Sequence, residues 1–143
     1  MIPVTQDPST WRGLVPLIAQ RFPHYELFGD EAIRFLFAFR TASLETFIKH
    51  LAHGHSSWIS VGVRLANNPT GSDLDQLSRE PHRFGSLCLA WSQLCVSHNL
   101  PLRGLRADHL EWTLDAVGAT TLHYRAILNA RVPDTSSLAY LAD

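Results

Sequence analysis

The segment FIKHLAHGHSSW, residues 47–58, sets His50, His53 and His55 within six positions. Imidazole binds metals and moves protons near neutral pH, so this is the most chemical stretch of the chain. A structural zinc site takes four nitrogen or sulfur ligands, and a catalytic one takes three with an open position. The local donors are the three histidines and Glu45; their spacing fits no zinc signature, and no cysteine lies nearby. On a helix, His50 and His53 share a face. They would sit in the last turn before Gly54, bonding free carbonyls and meeting the negative end of the helix dipole when protonated. A helix end is therefore preferred. A metal-dependent hydrolase using His50, His53 and His55 is kept as its rival, and no cofactor is expected.

Other candidates are weaker. Cys95 and His98 stand three apart in RFGSLCLAWSQLCVSH (83–98), the spacing of a thiolate–imidazole pair on a helix. Their place on an apolar stripe near a helix C-terminus argues instead for a core cysteine. Ser56 and Ser57 lack a Gly-x-Ser-x-Gly elbow. NNPTGSD (67–73) lacks the phosphate-loop pattern and reads as a turn with Ser72 as a cap. Asp73 and Asp75 fall in a first helical turn, where acids are expected on electrostatic grounds.

The cations are lopsided: Lys and Arg total 12, and Lys49 is the sole lysine. Arginine grips carboxylate and phosphate with a planar fork that lysine lacks, although a coding bias gives the same composition. The net charge of −1 supplies no global attraction to nucleic acid or anionic membrane. No apolar run approaches the roughly 20 residues of a membrane span, and MIPVTQDPSTW lacks a secretory pattern. Were Cys88 and Cys95 on one helix, their Cα atoms would stand roughly 10.5 Å apart, too far to bridge. Two free thiols lead to an expected cytoplasmic location.

These residues need elements to position them. Asp7 and Pro8 open a predicted helix over 6–22, interrupted near Pro16. AIRFLFAFR (32–40) alternates Ile33, Phe35, Phe37 and Phe39 against Arg34, Leu36, Ala38 and Arg40, a strand with one apolar face. SLETFIKHLAHG (43–54) has Leu44, Phe47, Ile48 and Leu51 at helical spacing, capped by Ser43. SWISVGVRLAN (57–67) alternates again, giving a βαβ unit. A short helix over 73–80 and a longer one over 83–98 follow. Period-two alternation on both sides of Gly118 predicts a hairpin over 109–132; a helix beginning at Asp108 is the competing reading. The tail 133–143 is read as a loop with a short docked end. The result is one α+β domain over 1–143: a single four-stranded sheet, βαβ plus a C-terminal hairpin, with helices packed on one face.

Such a sheet exposes its other face. That face would carry Arg34, Arg40, Trp58, Ser60, Arg64, Glu111, Thr113, Asp115, His123, Arg125, Asn129 and Arg131. Arginine and tryptophan are enriched at binding hot spots. The sequence is therefore read as a small non-enzymatic interaction or regulatory protein. A protein partner would be held by Arg34, Arg40, Trp58, Arg64, His123, Arg125 and Arg131. Single-stranded nucleic acid is the alternative partner, opposed by Glu111, Asp115 and the neutral net charge. No membrane partner is expected, and pairing through an open sheet edge would make a homodimer.

Overall fold

The structure, a computed structural model, describes residues 7–81, 83–90 and 93–131. Nine elements follow in order: α1 (Trp11–Arg21), β1 (Tyr25–Phe28), β2 (Ala32–Phe39), β3 (Ala42–His53), β4 (Ser56–Asn67), α2 (Gly71–Ser78), β5 (Ser86–Ala90), β6 (Gln93–Pro101) and α3 (Ala107–Arg131). The class is α+β, but the sheet has six strands rather than four, in the order β1-β2-β3-β4-β6-β5. Every neighbouring pair is antiparallel. The predicted βαβ unit is absent, because its helix is a strand. The chain instead crosses over at α2, which carries it from β4 past β6 to the sheet edge.

Three segments therefore change type, each for a physical reason. Residues 43–53 belong to β3, whose Leu44, Thr46 and Ile48 are each fully buried on one face. Phe47 and Leu51 are half-buried on the other, and apolar residues on both faces imitate helical spacing. Residues 83–98 hold most of the β5–β6 pair, with Leu87 opposite Val96 and Cys88 opposite Cys95. No Gly or Pro occurs between Gly85 and Pro101 to mark the turn. Residues 109–132 are not a hairpin: through Arg131 they belong to the 25-residue helix α3. Its Leu110, Leu114, Val117, Thr121 and Tyr124 are buried at alternating spacings of four and three, the seam a packed helix requires. The strand YELF of β1, exposed at all four positions, has no periodicity to betray it.

The helix ends show the chemistry expected of caps. Thr10, rather than Asp7, caps α1 and accepts from the Gly13 amide. Thr70, rather than Ser72, caps α2 in a reciprocal capping box with Asp73, which satisfies two otherwise orphaned donors.

All three helices gather on one side of the sheet. Phe22 at the end of α1 stacks on Phe35 of β2 at 4.3 Å, and Trp11 lies flat on His50 of β3. Gly118 lets α3 approach closely, since a Cβ there would stand 3.2 Å from the Phe39 ring and 3.3 Å from Leu44. Leu77 of α2 joins the same core. Burying Ile33, Phe35, Leu44, Ile48, Val61, Val63 and Leu114 in this layer is the main source of stability, at roughly 1.5–3 kcal/mol per large apolar side chain.

Candidate interaction face

No described element packs on the opposite side of the sheet. Strand pleating sends alternate residues there, and the strand register lays them out in rows. One row runs Arg34, Phe47, Gly62, Ser97 and Ser86. The next sets Leu36 beside Glu45 on β3, and Arg64 beside Cys95 and Cys88 across β4, β6 and β5. On the other flank Lys49, Ser60 and Asn99 align, and Leu51 faces Trp58 at the sheet end.

Two features dominate this face. The first is a chain of ion pairs. Arg34 reaches Glu26 at 3.1 Å and Glu45 at 3.4 Å, and Glu45 reaches Arg64 at 2.9 Å. The Glu45–Arg64 end is nearly enclosed, with side chains 11% and 8% exposed. The two acids and two arginines cancel. The second feature is apolar exposure: Phe28, Leu36 and Trp58 are exposed at 48%, 48% and 39%. Phe47 and Leu51 lie half-buried beside them. An open recess of about 540 Å³ sits where β3 runs past β2, lined by Lys49, Leu51, Trp58 and Asn99 among others.

The predicted contacts divide between this face and other places. Arg34, Trp58 and Arg64 lie on it, but both arginines are engaged by carboxylates. Arg40 occupies the β2–β3 turn at φ 57°, its guanidinium over the Phe39 ring at 4.9 Å. His123 and Arg125 belong to α3, across the sheet. His123 stands 3.9 Å from Glu80. Arg125 donates to the carbonyls of Arg64 at 2.7 Å and Leu65 at 3.3 Å. Those carbonyls lie where the β4–β6 register shifts, and a bulge takes backbone groups out of the ladder. Arg125 is thus a brace for the bulge. Arg131 ends α3, and its side chain lies outside the described ones. Glu111, Thr113 and Asp115, also expected on the face, are on α3; Glu111 pairs with Arg21 of α1.

The helix that the histidine reading required is the strand β3. The His50 ring stacks on Trp11 at 5.3 Å. His55 is exposed in the β3–β4 turn after Gly54, whose φ of 63° suits a two-residue hairpin. The His53 side chain lies outside the described ones. Among the described residues, no group of three or more His, Cys, Asp or Glu is placed to hold a metal ion. Cys95 and His98 are separated: the imidazole packs on Phe84 at 4.4 Å, inside the helical layer. Burial, and then the nearby His109, lower its pKa.

The cysteines are where the sequence misled most. Cys88 and Cys95 are direct partners across β5–β6, one exposed and one buried. Each thiol acts on the other's ionisation. The Cys95 side chain, with help from Ser97 and against the effect of burial, draws the Cys88 pKa down to about 6. The Cys88 side chain and burial push Cys95 up. Both are free thiols, but they stand side by side on two strands and not apart on one helix.

No described helix is long and apolar enough to cross a membrane. No protein-family model matches the chain, and neither does any curated protein.

Proposed function

We propose that this protein binds another protein on its open sheet face, and that the partner presents an apolar surface of little net charge. One observation carries this reading: an antiparallel sheet clothed by helices on one side displays Phe28, Leu36 and Trp58 on the other, around charges that already neutralise one another. A solvated sheet face is ordinarily polar, and exposed apolar patches rimmed by polar groups mark interaction sites. Arg34 and Arg64 contribute by keeping the charge balanced, not by gripping the partner. That balance also disfavours nucleic acid, whose binding needs cations free to displace counterions.

The test compares affinity capture from cell extract by the wild-type protein, a Leu36→Glu/Trp58→Ser variant, and a Trp112→Glu control. Trp112 is 58% exposed but lies on α3, away from the face. Circular dichroism checks that each variant is folded. The expected result is a protein held equally by wild type and control, and at least about tenfold less by the face variant. Capture unaffected by the face variant contradicts the proposal, as does capture of nucleic acid in place of protein.

A further inference from the structure

We propose that Cys88 and Cys95 form a dithiol site that a small-molecule disulfide oxidises to a cross-strand disulfide, with Cys88 attacking and Cys95 resolving. The proposal stands on geometry and is independent of the partner reading. Residues directly opposite on antiparallel strands have Cα atoms about 4.5–5.5 Å apart, inside the roughly 4.4–6.8 Å that a disulfide spans. Cys88 and Cys95 hold this relation on β5–β6.

The two sulfurs are unequal in a way that assigns their roles. Cys88 lies on the outermost strand of the sheet and is open to solvent, so a reagent reaches it. Cys95 is buried, 6% exposed. The Cys95 thiol and Ser97 both stabilise a Cys88 thiolate, the nucleophilic form. In the first step the Cys88 thiolate attacks one sulfur of a disulfide RSSR. A Cys88–SR bond forms, the S–S bond breaks, and RS⁻ leaves. In the second step Cys95 loses its proton and attacks the Cys88 sulfur; the Cys88–Cys95 bond forms and a second RS⁻ leaves. The two cysteines are oxidised by two electrons, and RSSR is reduced to two thiols once protons are taken up. The product links positions already paired in the sheet, so the fold need not open to accommodate it.

The experiment incubates the full chain with oxidised glutathione and reads intact mass and peptide maps. The expected product has lost two hydrogens, retains no glutathione, maps to a Cys88–Cys95 bond within one chain, and is reversed by dithiothreitol. Cys95→Ser should instead stop at a glutathione adduct on Cys88, and Cys88→Ser should leave Cys95 unmodified. A stable adduct on Cys88 of the wild type, a bond between two chains, or two unreacted thiols overturns the proposal.

Discussion

Arg64 and Glu45 show how far the surroundings change the meaning of a charged residue. In the sequence Arg64 is one of several arginines on an exposed face; in the fold it is 8% exposed and held at 2.9 Å by a carboxylate equally enclosed. Removing one partner of such a pair leaves a desolvated charge and costs about 3–5 kcal/mol, whereas replacing both with apolar groups is close to neutral. Urea unfolding should therefore place Arg64→Met well below the wild type, with Glu45→Leu/Arg64→Met recovering most of the loss. Additive losses in the double variant would contradict this coupling. Arg34, with a side chain 38% exposed, contributes little to stability by comparison. Cys88 makes a second prediction at this scale. The thiolate is the reactive form, so a pKa drawn down to about 6 means that alkylation by iodoacetamide rises with pH, is half-maximal near 6 and levels off above it. Cys95 and Ser97 are the groups that hold it there, and Arg64 and Glu45 act on Cys95 in turn. Cys95→Ala should move the half-point toward the ordinary thiol value of about 8.5; a half-point already there in the wild type would refute the assignment.

At the scale of elements, β4 depends on α3. The register shift near Arg64 and Ala66 needs donors for displaced carbonyls, and Arg125 reaches two of them from the helix. Arg125→Met should lower stability by about 1.5–3 kcal/mol, the range for hydrogen bonds from a charged group. An unchanged midpoint in thermal or urea unfolding would show that water replaces the guanidinium at no cost. Only elements with one clear apolar face were legible in the sequence. Strands β2 and β4 were, because Ile33, Phe35, Phe37 and Phe39 hold strict alternation despite Leu36 on the other face, and Ile59, Val61 and Val63 alternate with Ser60, Gly62 and Arg64. Strand β3 was not, because Phe47 and Leu51 place apolar groups on its second face as well. In α3, small and hydroxylated residues blurred the stripe: Thr113 and Thr121 are fully buried, their hydroxyls donating to carbonyls one turn back. Without Gly or Pro between β5 and β6, the chain reversal that pairs Cys88 with Cys95 had no local signal at all.

Across the whole molecule the governing feature is asymmetry, with three helices on one side of a six-stranded sheet and side chains without a described cover on the other. Arg34, Trp58 and Arg64 were legible as parts of that face because they sit on the two strands read correctly. Phe28, Glu45, Phe47 and Leu51 were not, since their strands were missed or read as helix. His123 and Arg125 were wrongly placed there by reading α3 as a hairpin. The corrected face is more apolar and more nearly neutral than the sequence implied, which is the ground for the protein partner we propose. The most direct measurement is hydroxyl-radical footprinting, with and without the protein that capture retrieves. The free chain should oxidise readily at Phe28, Leu36 and Trp58, all at least 39% exposed, and poorly at Phe35 and Leu114, which are at most 2% exposed. Adding the partner should protect the first three and leave Trp112 on the helical side unchanged. Protection of Trp112 with no change at Leu36 and Trp58 would contradict the account.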